Sequence, residues 1–311
     1  MSKTSEAAIS EQEWFAANRT PPLDFTNGFE AWGFRWFRRF VWLLCKVSPR
    51  WGARYVRKYL YEPRRFPRPQ RERELLKQAE SFNLDFEDGQ LACWRFAPLN
   101  AELPLKTALL VHGWEARGAQ MGSLVEPLQR LGYQVYMVDS PAHGDSDGAR
   151  TQPVQISRMV LRLQQKLKTI DLLVAHSVGA FASTLALQNG LTVGRFVSIA
   201  GVVDYRVVMR DVRLMFNVPA SAKAEMDRQI EAELGMSWDA LNVLQHAALM
   251  EQPCLYLHDP QDDDTPCFGV EAMSKAVADG EFLPVLGAGH RKILWDETTI
   301  AHMVSWLKAD A

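Results

Sequence analysis

The residue of this sequence whose surroundings best suit covalent chemistry is a serine in a tight turn. Ser177 follows a short apolar run, residues 172–175, and precedes small and apolar residues at helical spacing. Strand, sharp turn and helix form the context of the nucleophile-elbow motif G-x-S-x-G, although Ala175 stands here in place of the first glycine. Such a turn pushes the hydroxyl out of the sheet. A serine that only caps a helix gives a similar pattern, so Ser177 needs partners elsewhere.

A serine nucleophile requires a general base, and the base in turn requires an acid that orients it. The last strand pattern, residues 282–286, leads directly to His290. Gly287 and Gly289 allow the chain to turn this histidine back over the sheet. We therefore expect His290 to be the base, although the two basic residues that follow it are also compatible with a surface histidine.

The candidate acids lie in one loop after the strand pattern at residues 254–257. Four aspartates share this loop: Asp259, Asp262, Asp263 and Asp264. Most of them fit an ordinary solvated turn. Since one carboxylate at the end of this strand could hold the imidazole, we choose Asp262, with Asp263 as the next candidate.

Two backbone amides are the expected oxyanion donors. One is Val178 N–H, directly after the nucleophile, and the other is Trp114 N–H in the loop after the strand pattern at residues 107–111. We also expect three residues to lie beside the substrate: His112, Gly113 and His176. We expect the two histidines to orient these loops rather than to act as the base.

The chemistry-bearing residues fall between alternating strand and helix patterns. A period-two alternation around residues 87–89 predicts a β-hairpin formed by residues 82–86 and 91–96. Further strands are predicted at residues 107–111, 134–138, 172–175, 195–199, 254–257 and 282–286, with helices at 73–79, 121–131, 154–168 and 300–307. This alternation predicts a mostly parallel sheet with helices on both faces.

One long interval, about residues 202–252, carries helical patterns and no strand pattern. It is rich in methionine, whose flexible side chain suits a surface that meets varied apolar ligands. We favour the interpretation that this insertion is a lid over the site, with a plain structural excursion as the alternative.

The segment from about residue 29 to 70 interleaves aromatic and basic residues. Between Ala31 and Gln70 there are eleven Arg and Lys residues, and Glu62 is the only acid. The spacing predicts two amphipathic helices that are broken near Ser48 and Pro49. A helical arm packed on the main domain, with arginines around buried aromatic rings, is the favoured interpretation. Peripheral contact with an anionic membrane is the alternative.

Composition sets further bounds. The 311 residues are 47% hydrophobic and 23% charged with a net charge of −2, which gives no support to a nucleic-acid partner. The four cysteines form no zinc-binding pattern with histidine and suggest a reducing compartment. The N-terminus lacks a signal-peptide pattern and no run is long enough to span a membrane, so we expect a cytoplasmic protein. The oligomeric state is not visible in the sequence.

Five motifs in order resemble the α/β-hydrolase superfamily, of the bacterial serine hydrolase and esterase type: LLVHGW (residues 109–114), VDSPAHGDSDG (138–148), AHSVGA (175–180), LHDPQDD (257–263) and GAGHR (287–291). The resemblance implies an eight-stranded, mostly parallel sheet, a triad of Ser177, Asp262 and His290, and a lid after the sixth strand. In the family the acid motif usually reads H-G-x-x-D, whereas Asp259 stands here in the glycine position. Residues 29–70 match no part of the family core.

These observations predict a hydrolase of carboxylic esters or thioesters that acts through an acyl-enzyme on a small acyl-ester substrate and needs no metal or cofactor. An amidase or short-peptide hydrolase, an acyltransferase and a non-catalytic lipid or small-ligand binder stay open as alternatives. The expected organisation is an N-terminal extension over residues 1–80 and a hydrolase domain over residues 81–311, with the lid at about 202–252.

Overall fold

Eight strands form one sheet in the computed structural model, which describes residues 30–87, 89–100 and 102–309. The strands are β1 (Glu80–Phe86), β2 (Gly89–Phe96), β3 (Lys106–Val111), β4 (Tyr133–Val138), β5 (Leu172–His176), β6 (Arg195–Ile199), β7 (Cys254–His258) and β8 (Gly280–Pro284). They lie in the order β1-β2-β4-β3-β5-β6-β7-β8. The pairs β1–β2 and β2–β4 are antiparallel and all other pairs are parallel. The expected eight-stranded, mostly parallel sheet is confirmed.

The strand β5 lies in the middle of the sheet, and all five of its residues are buried. A strand that is covered on both faces has to be apolar throughout, which explains the continuous apolar run in the sequence. The parallel register places the carboxyl ends of β3, β5, β6 and β7 at one edge of the sheet. Loops from these strand ends carry the chemistry-bearing residues.

The helices divide between the two faces of the sheet. One face is covered by α5 (Pro153–Leu167), α6 (Val178–Gln188) and α9 (Phe268–Ala276), which share one apolar core. The other face is covered by a 3₁₀ helix (Gly118–Leu124), α4 (Val125–Arg130) and α11 (Glu297–Lys308). A short helix, α10 (Gly289–Lys292), precedes α11. The mixed three-layer arrangement agrees with the alternation in the sequence.

Between β6 and β7 the chain leaves the sheet and forms α7 (Tyr205–Phe216), α8 (Ala220–Leu234) and a 3₁₀ helix (Val243–Leu249). Asp204 and Asn242 form an isolated β-bridge at the base of this insertion. Tyr205 stacks on Phe181 of α6 with 5.5 Å between the ring centroids. The insertion is thus packed onto the helix that follows Ser177.

The described residues begin with two helices, α1 (Glu30–Val47) and α2 (Pro49–Tyr61), which we call the N-terminal arm. Their boundary at Ser48 agrees with the sequence, because the Ser48 hydroxyl accepts the Trp51 N–H at 3.4 Å and Pro49 is tolerated in a first helical turn. The arm contacts the insertion, where Arg57 donates to the Gln229 carbonyl at 3.0 Å and pairs with Glu233 at 2.8 Å.

Several boundaries differ from the sequence expectation. The short helix before the sheet, α3 (Gln70–Leu76), begins three residues earlier than expected, directly after Pro69. The last strand begins at Gly280 rather than at residue 282, because pairing with β7 starts where Gly280 meets Cys254. The helix expected at 121–131 begins as a 3₁₀ helix at Gly118. The polar lead-in expected at residues 1–28 and Asp88 of the hairpin turn lie outside the described residues.

Candidate active site

Ser177 lies in the turn between β5 and α6 with a strained backbone, φ 54° and ψ −124°. A residue with a Cβ rarely adopts a positive φ, so the surrounding packing has to hold it there. Gly113 allows the close approach of the neighbouring loop, because a Cβ at this position would lie 2.9 Å from Ser177 Cβ and from His176 Nδ1. The site therefore depends on a small residue in the loop after β3.

His290 connects the serine to an aspartate. Its Nε2 lies 2.9 Å from Ser177 Oγ and its Nδ1 lies 2.8 Å from Asp262 Oδ2. Since a carboxylate can only accept, Nδ1 carries the proton and Nε2 is left as the acceptor for the serine hydroxyl. The structure thus brings three of the sequence-predicted site residues into one hydrogen-bonded chain.

Asp262 is buried and fully engaged. Its Oδ1 accepts the backbone N–H groups of Asp264 and Thr265, each at 2.8 Å. Burial alone would raise the pKa of Asp262, but hydrogen bonds from His258 and His290 outweigh it and hold this pKa below the usual range of a carboxyl group. The neighbouring candidate, Asp263, is exposed to solvent, and it is Asp262 that contacts His290.

His258 at the end of β7 helps to fix the carboxylate of Asp262 and the loop that contains it, residues 259–265, which we call the acid loop. It is completely buried, its Nε2 lies 2.9 Å from the Thr265 carbonyl, and the same nitrogen lies 3.4 Å from Asp262 Oδ2. Both neighbours are acceptors, so the proton is on Nε2. His258 therefore contacts the acid loop at two residues, Asp262 and Thr265.

Asp259, the residue that departs from the family pattern, also helps to fix the acid loop. Its Oδ1 accepts Gln261 N–H at 2.9 Å and its Oδ2 accepts Gly289 N–H at 2.6 Å. The second bond joins the acid loop to the residue before His290. The sequence indicated a departure at this position but not its structural role.

The peptide between Gly113 and Trp114 has a fixed orientation. His112 is buried, and its Nδ1–H donates to the Gly113 carbonyl at 2.7 Å while its Nε2 accepts Ser140 N–H at 2.8 Å. In a trans peptide the carbonyl and the N–H point in opposite directions. By holding the Gly113 carbonyl, His112 also fixes the direction of Trp114 N–H. Burial lowers the pKa of His112 well below its usual value, which keeps this tautomer neutral.

The Trp114 ring and the backbone of the next residue are also held in place, by His143. Glu115 N–H donates to His143 Nε2 at 3.1 Å, and the His143 ring lies edge-on to the Trp114 ring with 5.1 Å between centroids. Burial lowers the pKa of His143 to about 4. The Glu115 carboxylate receives two hydrogen bonds from the Arg64 guanidinium, at 2.9 and 2.7 Å. Arg64 belongs to the linker after the N-terminal arm, so that linker reaches the loop after β3.

His176, directly before Ser177, faces His290. Its Nε2–H donates to the backbone carbonyl of His290 at 2.9 Å, and the two rings lie 4.9 Å apart. Burial and the neighbouring His290 lower the pKa of His176 to about 3. His112 and His176 are thus both engaged by backbone groups close to the serine.

The arginine linker, residues 62–69, holds further loops at the same edge. Arg65 donates to the carbonyls of Gly144, Ser146 and Gly148 at 2.6 to 2.8 Å. Arg68 pairs with Asp145 at 2.6 Å and with the buried Asp139 at 3.2 Å.

Two further charged groups of this region, Asp139 and Arg117, are buried. Asp139 accepts the backbone N–H groups of Gly118 and Asp145, each at 2.8 Å, and its burial raises its pKa to about 6. Arg117, five residues after His112, forms a buried ion pair with Glu72 of α3. The sequence did not predict these contacts. The basic run at residues 64–68 was the available signal, but its arginines were expected around buried aromatic rings or, as the alternative, at a membrane.

Val178 is the first residue of α6, so its N–H is among those that have no acceptor inside the helix. The positive end of the helix dipole lies at the same place and favours negative charge. The arrangement can therefore generate a nucleophilic alkoxide at Ser177 and receive negative charge beside it.

A profile of the Alpha/beta hydrolase family matches residues 108–299, which is more than half of the chain. A search of curated protein sequences finds no match.

Solved structures with the same fold include the esterase Pf2001 of Pyrococcus furiosus, with 18% identity over 80% of this chain and 97% of that one, at a TM-score of 0.60. The monoacylglycerol lipase of Paleococcus ferrophilus is 21% identical over 71% of this chain and 99% of that one, with a TM-score of 0.56. Est1E of Butyrivibrio proteoclasticus, solved with ferulic acid, is 15% identical over 73% and 96%, with a TM-score of 0.55. At these identities the likeness shows the fold alone.

Proposed function

The chain belongs to the Alpha/beta hydrolase family, and from this premise we propose that it hydrolyses carboxylic esters or thioesters through an acyl-enzyme on Ser177. The observation that carries the proposal is the continuous hydrogen-bonded chain from Asp262 through His290 to Ser177. Solved proteins of the same fold include an esterase and a monoacylglycerol lipase, which supports this substrate class.

The first half of the reaction forms the acyl-enzyme. His290 Nε2 takes the proton from Ser177 Oγ as this oxygen attacks the substrate carbonyl carbon. Asp262 stays ionised and stabilises the imidazolium through Nδ1. The tetrahedral intermediate then collapses, and His290 Nε2–H gives its proton to the leaving alcohol or thiol.

The negative oxygen of the tetrahedral intermediate accepts hydrogen bonds from Val178 N–H and Trp114 N–H in this proposal. The bond from His112 to the Gly113 carbonyl supports the second donor, because it orients the peptide in advance. A donor that is already oriented costs no reorganisation during the reaction, and each is worth roughly 3 to 4 kcal/mol of barrier.

In the second half, a water molecule takes the place of the leaving group. His290 removes its proton, the resulting hydroxide attacks the acyl carbon, and Ser177 Oγ leaves with the proton returned by His290. The products are the free acid and the unmodified enzyme. An acceptor other than water at this step would make the protein an acyltransferase.

We also propose that the insertion at residues 202–252 covers the site as a lid. Ser177 is only 5% exposed, and the insertion packs through Tyr205 on the helix that begins directly after it. Substrate entry would then require the helices α7 and α8 to shift, and their packing would set the acyl chains that fit.

The experiment that tests the activity is intact mass spectrometry after treatment with a fluorophosphonate, which reacts with activated serines. We expect a single adduct on the native chain and none on Ser177→Ala. Ser183→Ala is the matched control, because Ser183 is buried in α6 and its hydroxyl has no hydrogen-bond partner among the described residues. Labelling that survives in Ser177→Ala, or a folded native chain that is never labelled with or without detergent, would overturn the proposal and leave the non-catalytic binder.

Hydrolysis of matched p-nitrophenyl esters, thioesters and anilides then separates the alternatives. We expect turnover of the esters or thioesters to exceed that of the anilide of the same acyl group. Preference for the anilide would identify an amidase.

A further inference from the structure

The outer face of α1 carries an apolar stripe that no described part of the chain covers. Its members recur at intervals of three or four residues, continue onto the start of α2, and are between 49% and 77% exposed: Trp32, Trp36, Phe40, Leu43, Val47 and Trp51. We call these six residues the exposed stripe. Soluble chains rarely display this much contiguous aromatic and aliphatic surface without a binding role.

The packing of α1 does not require this stripe. A different face of the helix, with Val41 and Cys45, is completely buried, and Gly52 of α2 lies directly against Cys45. A helix on the surface of a protein needs one apolar face for its core contacts. Here the helix has a second apolar face on the solvent side.

Basic side chains flank the exposed stripe and stack on its rings. The Arg39 guanidinium lies 5.3 Å from the Trp36 ring centroid, and Arg54 lies 5.4 Å from that of Trp51. Lys46 lies in the same way over the neighbouring exposed Trp42, at 5.6 Å. Such side chains can keep their charge at the level of lipid headgroups while the rings and aliphatic groups enter the acyl region.

Most basic residues of this region fall into two groups. Arg57, Arg64, Arg65 and Arg68 are bound to acceptors on other segments of the chain, and Arg38 donates to the Leu214 carbonyl at 3.0 Å. Arg35, Arg39, Lys46 and Arg54 are exposed on the arm itself. The charge of Arg39 and Arg54 lies on the rings of the exposed stripe, where it complements an anionic surface.

From these contacts we propose that the N-terminal arm docks on an anionic phospholipid membrane, with α1 lying in the plane of the interface. The chemistry of the occupant follows from the combination of tryptophan, aliphatic side chains and lysine or arginine on one helix face. None of the helices in the described residues is long and apolar enough to cross a membrane.

When the N-terminal arm is bound to the membrane, the insertion at residues 202–252 would lie close to the membrane as well. Phe37 of α1 packs on Phe216 at the end of α7 with 5.8 Å between centroids, and Leu214 beside it is 52% exposed. The N-terminal arm is thus packed against the end of α7. A substrate taken from the membrane would arrive next to the insertion that we propose as a lid.

The test is sedimentation with vesicles of phosphatidylcholine and phosphatidylglycerol in equal amounts, compared with pure phosphatidylcholine. We expect the full chain to bind the anionic vesicles at low salt with a blue shift of its tryptophan emission. The triple variant Arg35→Glu, Arg39→Glu, Lys46→Glu should bind at least about 100-fold more weakly, since each of the three basic residues lost near an anionic surface is worth about a factor of 5.

Matched variants control for total charge and total hydrophobicity. Lys166→Glu, Lys275→Glu, Lys308→Glu changes the net charge equally on exposed sites elsewhere and should bind as the native chain does. Replacing Trp36, Leu43 and Val47 by Ser should abolish binding, whereas Ser at the exposed Leu99, Leu103 and Leu105 between β2 and β3 should not. Ser177→Ala should bind normally, so this result is independent of the proposed activity.

Three outcomes would overturn the proposal. One is no sedimentation with anionic vesicles at low salt by a folded protein. Another is equal loss of binding in the stripe variants and in their matched controls. The third is a dimer in solution that dissociates when Trp36, Leu43 and Val47 become Ser, with no vesicle binding by the native chain, which would assign the exposed stripe to a second copy of this protein.

Discussion

Asp259 Oδ2 accepts the backbone N–H of Gly289 at 2.6 Å and so ties the loop that holds Asp262 to the residue before His290. Asp262 and His290 follow different strands, β7 and β8, and their 2.8 Å contact requires that the two segments keep a fixed separation. A buried carboxylate that accepts backbone N–H groups from both loops supplies this constraint.

Asp259→Ala is therefore expected to lower kcat more than it alters KM. Hydrogen bonds to charged groups are worth about 1.5 to 3 kcal/mol, so complete loss of this support from the transition state corresponds to roughly 10- to 100-fold. Ester hydrolysis measures the effect. Asp263→Ala is the control, because Asp263 is exposed in the same loop and should stay within a factor of about 2 of the native rate. Equal effects of the two variants would contradict this role of Asp259.

Gly113→Ala is expected to remove most activity while the chain stays folded. The new Cβ would lie 2.9 Å from Ser177 Cβ and from His176 Nδ1, so the loop would have to move away from the serine together with Trp114 N–H. Loss of one oxyanion donor lowers kcat by about 10²- to 10³-fold. Gly33→Ala serves as control, since a Cβ there meets no atom of the described residues within 4 Å. A fully active Gly113→Ala would contradict the placement of Trp114 N–H at the oxyanion.

Glu72→Ala is expected to destabilise the protein far more than Glu74→Ala on the same helix. The pair of Glu72 with Arg117 is almost completely buried, and loss of the carboxylate leaves a buried guanidinium uncompensated at a cost of about 3 to 5 kcal/mol. Glu74 pairs with Lys77 at the surface, where such pairs contribute about 0 to 1 kcal/mol. Urea unfolding monitored by circular dichroism measures both changes. Similar unfolding midpoints for the two variants would disprove the difference.

Stability is expected to fall as the pH drops below about 6.5. Burial lowers the pKa of His143 to about 4 and that of His176 to about 3, whereas an unfolded histidine has a pKa of about 6.5. The unfolded chain binds more protons in this window, so the stabilisation is complete above the unfolded pKa and is lost on acidification, at up to about 1.4 kcal/mol per pH unit for each histidine.

Asp139 acts in the opposite direction. Its pKa is raised to about 6, so the folded chain binds a proton more readily than the unfolded chain and its contribution decreases as the pH rises toward 6. The histidines outnumber it, and the net result is a loss of stability on acidification. Urea unfolding at about pH 7 and about pH 5 measures this loss. His176→Gln retains a donor for the His290 carbonyl and should reduce the pH dependence by about one proton. A free energy of unfolding that rises toward pH 5 would contradict the assignment of neutral buried histidines.

Much of the fold was predictable from the sequence because its signals are local. The apolar run at residues 172–175 and the small residues after Ser177 are required by a buried central strand and by a tight strand-to-helix turn. The sheet with eight strands and the helices of the N-terminal arm are confirmed. The boundaries of α3 and β8 were shifted, because pairing with β7 and the position of Pro69 decide where these elements begin.

The arginines of the N-terminal region make contacts that cannot be predicted from neighbouring residues alone. The sequence presents one basic run, and charge alone does not tell an arginine on a solvated surface from one that binds a loop. Arg64 binds Glu115 and Arg65 binds three carbonyls of the loop after β4, at sequence distances of 51 and about 80 residues. Only the fold brings these acceptors to the linker.

The order of strands and helices, the serine in its turn and the prediction of His290 as the base followed from the sequence alone, because each depends on residues that are neighbours along the chain. The tertiary structure decided which aspartate contacts that histidine, how Asp259 and His112 hold the loops around Ser177, and which face of α1 is left uncovered. These outcomes depend on hydrogen bonds and packing between segments far apart in sequence. Their geometry exists only once the sheet has brought the carboxyl ends of β3, β5, β7 and β8 to one edge.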